Sequence, residues 1–331
     1  LPKSGGEYHF LTEIYHPCAG FISGWVSATV GFAAPTALAA LTLGSYLAAS
    51  GLSMNPTWVA TVAIVLLTTA HCTSHRRSGG TQTAFTLLKL ILILGFSAAA
   101  LLLGSTEHQA DFMWTSDSGE LLGSGAFAVS LIYVNYAYSG WNAATYISGE
   151  LASPQKSLPW VLGISTTVVA VLYCLLNYVF LSVAPIEAMI GKVEIGVIAA
   201  EFAFGSTLGT FMGLLLALLL ISTISAMILA GPRVLQRIGQ DYPRFAPLAR
   251  QNRDGIPVTA ILFQSATSLL FLWTASFEQI LIFSGATMAL NTFATVLGLF
   301  VLRWQQPELR RPFRVSFYPI TPLIFLGITG W

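Results

Sequence analysis

Three groups of residues carry chemistry that a lipid-facing helix does not need. The first is Tyr138, Ser139, Gly140, Trp141 and Asn142, within YVNYAYSGWNAATY (133–146), at the end of an apolar run. Helix propensity falls at Ser139–Gly140, and glycine lets another group approach the backbone closely. Backbone groups released by a break at membrane depth must be satisfied by protein, water or a ligand. Freed carbonyls suit cations and half-helix N-termini suit carboxylates, which is how many secondary transporters build a site. The rings and the Asn142 amide border that point. The competing reading makes Gly140 a tight helix–helix contact and Tyr138 a core aromatic.

The second group is a single amine. Lys89 stands in TQTAFTLLKLILILGF, about 7 residues into an apolar run, or roughly 10 Å along a helix. Such a lysine either snorkels to the interface or lies between helices, where desolvation disfavours its charge and a proton can be gained or lost during transport. The third group is Ser222, Thr223 and Ser225 in LLLISTISAMILAG. These hydroxyls could face Lys89 from another span, and Ser222 and Ser225, three apart, share a helix face. They could equally cap their own carbonyls.

The surrounding chain sets what can position these groups. It has 331 residues, 55% hydrophobic and 9% charged, with a mean hydropathy of +0.72. A soluble domain is about 25% charged, so the composition points to a bilayer and excludes intrinsic disorder. Apolar runs fall at about 20–49, 57–74, 82–103, 122–148, 158–183, 206–231, 256–275 and 278–302, with a ninth beginning near 317. Crossing hydrocarbon takes roughly 20 helical residues, and these runs lack the alternation of barrel strands. The expected fold is an all-α polytopic bundle. Of 15 lysines and arginines, all but Lys192 and Lys89 fall on the side of the N-terminal tail, which the positive-inside rule makes cytoplasmic. The linker 184–205 reads as short interfacial helices on the other side. The basic stretch GPRVLQRIGQDYPRFAPLARQNRDGIP is too punctuated for one helix.

Other functions find little footing. A net charge of +1 gives no nucleic-acid surface. Cys18, Cys72 and Cys174 have no metal spacing, and the two that sit in or near apolar runs read as small buried hydrophobes. His71 and His75 are four apart but have no third ligand. GSGAFA (123–128) lacks the strand–turn–helix setting of a dinucleotide site. No cofactor, metal or catalytic group is expected, and the chain does not read as an enzyme. A channel would need a repeated carbonyl or charged-ring filter, and no such repeat is visible.

The segments LPKSGGEYHFL, YSGWNAATYISGELASPQKSLP, GPRVLQRIGQDYPRFAPLARQNRDGIPVTA and QQPELRRPFRVSFYPITPL, in that order, resemble the amino acid–polyamine–organocation superfamily. The branch they are most similar to is the bacterial amino acid permeases related to the L-type transporters. The resemblance covers essentially the whole chain. It implies an inverted five-plus-five helix repeat of the leucine/sodium symporter type, with the first and sixth helices unwound around the substrate. Residues 1–19 would then be the cytoplasmic end of helix two and the first cytoplasmic loop, 20–103 helices three to five, 122–302 helices six to ten, and 317–331 the start of helix eleven. All belong to one transporter domain, and the first helix, with half of the site, would be missing. Carried over by position, Tyr138, Ser139, Gly140, Trp141 and Asn142 match the substrate-contacting segment of helix six. Lys89 matches a helix-five lysine standing in the region of a sodium site. Ser222 and Ser225 fall where sodium-coupled relatives supply hydroxyls to the ion.

The expected function is secondary active transport of a neutral or zwitterionic amino acid across the cytoplasmic membrane by alternating access. Its partners would be the amino acid, lipid and protons, with no nucleic acid. An exchanger, or in another class a channel, is the alternative. Glu150, nearby at the cytoplasmic end, reads as a loop-ordering residue.

Overall fold

The computed structural model describes residues 5–73, 79–104, 118–146, 153–309, 311 and 313–331, which are helices and turns with no strand among them. A short α1 (Gly6–Ile14) leads through His16, whose ring accepts from the Cys18 amide at 3.2 Å, into α2 (Pro17–Val26). Pro17 opens that helix, where its missing N–H is an orphan anyway. A π-helical turn, Ser27–Phe32, joins α2 to α3 (Ala33–Ala49), and the three make one apolar rod of 33 residues. Single π turns inside helices are frequent at functional sites.

The next elements are α4 (Pro56–Thr73), α5 (Gly79–Leu103), α6 (Ser118–Leu122) and α7 (Gly125–Tyr138), followed by a 3-10 turn at Ser139–Asn142 and α8 (Ala143–Tyr146). Then come α9 (Pro154–Val183), α10 (Ile186–Met189), α11 (Ile195–Phe204), α12 (Ser206–Ala230), α13 (Pro232–Asp241), α14 (Ala246–Ala249), α15 (Val258–Thr274), α16 (Phe277–Gln305) and α17 (Ile320–Gly330).

Six helices among the described residues are long and apolar enough to span: Pro17–Ala49, Pro56–Thr73, Gln82–Leu103, Gln155–Val183, Ser206–Asp241 and Phe277–Gln305. The chain is an integral, multi-pass, all-α membrane protein. Two expected spans differ in form. The 256–275 run is a helix of 17 residues, and the 122–148 run is not continuous, since α7 stops after 14 residues at the turn. The 184–205 linker does form two short helices, α10 and α11. The basic stretch divides into α13, a 3-10 turn at Pro243–Phe245 and α14.

The surface matches a lipid solvent. Leu66, Ile91, Val171, Leu270 and Leu290, on five different helices, are 62% to 69% exposed, more apolar area than water tolerates on a monomer. Trp58 and Trp273 meet edge to face at 4.9 Å, with the Trp273 indole N–H donating to Thr61 Oγ1 at 3.1 Å. Trp160 and Trp304, beside Lys156 and Arg303, are exposed at the basic end. Aromatic rings gathered at both ends are the interfacial belts expected of a bundle.

Inside, α3 packs on α4, α12 and α15 through Ile64, Ile224, Ile228 and Leu272. A second cluster, Phe96, Val179, Val183 and Ala200, joins α5, α9 and α11. The third contact that matters for the site is α7 against α16. Their approach runs over Gly285, where a Cβ would lie 2.6 Å from Ile132 Cγ2 and 3.2 Å from the Ile132 carbonyl oxygen. Only a residue without a side chain lets the broken segment lie this close to α16.

Candidate functional site

The break begins where α7 loses its last turn. Ser139 Oγ donates to the Tyr136 carbonyl at 2.8 Å, bonding within the chain in place of a regular helical turn. On the upstream side, the Tyr138 and Tyr173 rings meet edge to face at 5.3 Å, and the Tyr173 hydroxyl donates to the Ala137 carbonyl at 3.2 Å. Thus α9 props the final turn of α7. On the downstream side, Thr145 Oγ1 donates to the Asn142 carbonyl at 2.6 Å. Gly140 lies between these supports and is exposed. A Cβ built there meets no described atom within 4 Å, so the tight-contact reading of this glycine does not hold among the described residues. Among the described residues, bare backbone borders open space at the break.

Asn142 faces the other way. Its side chain is buried and donates through Nδ2 to Glu7 Oε2 at 3.3 Å. The same oxygen accepts from Asn291 Nδ2 of α16 at 2.9 Å and from Ser27 Oγ of the π turn at 3.2 Å. Glu7 and Ser27 are fully buried, and Asn142 and Asn291 are each 8% exposed. Three donors on Oε2 replace part of the hydration that a carboxylate at this depth has lost. Beside it, Tyr8 donates to Asp241 Oδ2 at 2.6 Å, and Asp241 also accepts from Arg237 Nε at 3.2 Å. Burial, then the bond to Asp241, pushes the Tyr8 phenol above its ordinary value, so it stays a neutral donor.

Of the three hydroxyls expected near the amine, Thr223 meets it, and Ser222 and Ser225 have other partners. Lys89 Nζ of α5 donates to Thr223 Oγ1 of α12 at 2.8 Å. Lys89 is thus tied to a neighbouring helix. Ser222 Oγ donates to Gln82 Oε1 at 3.2 Å, and Ser225 Oγ lies 2.8 Å from His71 Nε2 of α4. Each hydroxyl of the α12 patch has a different partner, and the shared face of Ser222 and Ser225 does not make them a pair around one centre. His75 and Glu150 lie outside the described residues. Among the described residues no cluster of His, Cys, Asp and Glu could hold a metal.

A sequence profile described as "Amino acid permease" matches residues 1–330. The chain belongs to the amino acid permease family. This permease is 28% identical to the large neutral amino acids transporter small subunit 2 of Mus musculus, over 98% of the chain and 63% of that protein. It is 25% identical to the Asc-type amino acid transporter 1 of Mus musculus, over 98% of the chain and 63% of the relative. It is also 25% identical to the b(0,+)-type amino acid transporter 1 of Mus musculus, over 98% and 68%. The chain therefore spans less than two thirds of the length of the first two relatives. The family is one of permeases within the amino acid–polyamine–organocation superfamily, not of enzymes.

Several residues of this permease's site escaped a reading by pattern. Glu7 stands inside the segment LPKSGGEYHFL, where nothing in the spacing singles out its charge. Asn291 is a polar residue well inside a helix long and apolar enough to span, and on that ground marks a candidate site. His71 and Gln82 lie near the ends of the apolar runs 57–74 and 82–103. Tyr173 gave no signal beyond being a tyrosine in an apolar helix.

Proposed function

We propose that this permease is the secondary active transporter of a neutral or zwitterionic amino acid, moved across a cytoplasmic membrane by alternating access, with the basic face inside. The observation that carries the reading is the open backbone at Gly140, bordered by Tyr138, Ser139 and Trp141 and braced on both sides. A half-helix starting at such a break points its amide groups and positive dipole end at a carboxylate. No acidic side chain stands among residues 138–142, which favours a substrate without a net positive charge. The name of the relative at 28% identity, a large neutral amino acids transporter subunit, agrees with that class. The helix order fits an inverted five-plus-five repeat in which the 122–148 segment is the sixth helix.

For coupling, Lys89 takes the place of a cation. Its ammonium group sits against Thr223 in the polar patch of α12, with Ser222 and Ser225 held by Gln82 and His71. A charge fixed there biases the equilibrium between access states when helices rearrange. Sodium is not required in this scheme, and protons are the coupling species.

The test is uptake by the intact protein in proteoliposomes. Labelled L-leucine should enter saturably, be competed by other neutral amino acids, and be accelerated by unlabelled substrate preloaded inside. Flux that rises linearly with concentration and ignores preloading would place the protein with channels instead.

A further inference from the structure

The buried carboxylate of Glu7 brings together four pieces of chain that the sequence keeps far apart. Asn142 is 135 residues away, Asn291 is 284 away and Ser27 is 20 away. All three donate to one oxygen, Oε2, and Asn291 Nδ2 lies 3.4 Å from Ser27 Oγ as well. The four elements are α1, the π turn, α16 and the 3-10 turn that forms the break. Taking a carboxylate out of water is expensive unless donors replace its hydration. The donors in turn lose a charged acceptor if the carboxylate goes. Such a node holds its members at fixed separations.

What it fixes is the downstream end of the break. Asn142 is the last residue of the 3-10 turn, two positions beyond Gly140, and its carbonyl is held by Thr145. The upstream end is held separately, by Ser139 on Tyr136 and by the Tyr138–Tyr173 contact. The width and tilt of the open backbone between them therefore depend on Glu7. Its own helix is pinned from the other side, since the adjacent Tyr8 is bonded to Asp241 of α13. A shift of the turn away from α1 would stretch the bond between Glu7 and Asn142.

We propose that Glu7 is a positioning residue for transport: acting through Asn142, its carboxylate sets the geometry of the substrate-binding break. This rests on the break being the substrate site, and the experiment separates the two claims. Glu7→Gln, Asn142→Ala, their double mutant and Asn291→Ala are made in the intact protein and assayed with L-leucine in proteoliposomes. Glu7→Gln should raise KM about tenfold with turnover within about threefold of wild type, because the lost interaction shapes binding. The double mutant should be no worse than the poorer single, the signature of residues acting as one unit. Asn291→Ala, which leaves the charge in place, should raise KM by about threefold. It also keeps the test alive if Glu7→Gln does not fold.

A second readout needs no substrate. Gly140→Cys is introduced after replacement of Cys18, Cys72 and Cys174, and its alkylation by a small maleimide is timed. Glu7→Gln or Asn291→Ala should change that rate by about threefold or more as the turn loosens. Altered alkylation without leucine uptake in wild type would sustain the positioning role and sink the leucine-transport reading. Uptake with unchanged KM and unchanged alkylation in every variant, or full additivity in the double mutant, would overturn the role of Glu7.

Discussion

The break at Ser139–Asn142 and the hydroxyl patch at Ser222–Ser225 both interrupt apolar segments with polar groups, and they are finished in opposite ways. Around the break Tyr138, Ser139 and Asn142 are engaged at the edges, while Gly140 in the middle borders open space among the described residues. In the patch the hydroxyls are filled by protein, with Lys89 on Thr223, Gln82 on Ser222 and His71 on Ser225. A polar site in a membrane is completed by a ligand or by the protein itself. Among the described residues the first region has an open middle and the second is internally closed. The two should therefore respond to mutation through different observables.

The largest effect is expected at the break. Gly140→Val should weaken leucine binding by about tenfold or more, close to 1.4 kcal/mol. The same variant should leave the melting temperature of the folded protein nearly unchanged, because a Cβ there meets nothing. A melting temperature that falls together with affinity would return Gly140 to a packing role and erase the contrast. The same operation at Gly285 should do the reverse. Gly285→Val drives side-chain atoms into Ile132 and should destabilise the fold by about 1–3 kcal/mol, read by denaturant unfolding in detergent.

Changes in the patch should be smaller and should appear in stability before affinity. Thr223→Val keeps the shape but removes the partner of Lys89. Interhelical hydrogen bonds in membranes average about 0.6 kcal/mol and reach about 1.7, so a loss near the upper end is expected for a charged donor. Leucine affinity should stay within about threefold, a limit of about 0.7 kcal/mol. Ser222→Ala should give the smallest effect, about 0.6 kcal/mol or less. A patch variant that lost substrate affinity as severely as Gly140→Val would mean the two regions are one site.

Much of the break was legible in the sequence, because its cause is local. A serine–glycine step amid tyrosines lowers helix propensity wherever it occurs, and the structure has its turn there. The lysine and the α12 hydroxyls were legible as types, since a charge and clustered hydroxyls at membrane depth require partners. Which hydroxyl meets the amine was not, because it depends on the relative rotation of two helices 134 residues apart. Glu7 was least legible of all. It sits in a tail that reads as the end of a helix, and its meaning comes from two asparagines on other elements. Long-range closure of that kind leaves no period or spacing to read. The fold class followed from composition, whereas the shortness of α7 and α15 followed from where turns were actually placed.

The account stands most directly on one measurement, uptake into proteoliposomes with internal and external pH and sodium set independently, wild type beside Lys89→Ala. If the amine occupies the place of a cation, wild-type uptake should be indifferent to sodium at fixed pH and should respond to a proton gradient. Lys89→Ala should lose most net uptake while remaining folded, with substrate affinity changed less than turnover. An approximately tenfold stimulation of the wild type by a sodium gradient at fixed pH, worth about 1.4 kcal/mol, would contradict the account and give the coupling role to Ser222 and Ser225.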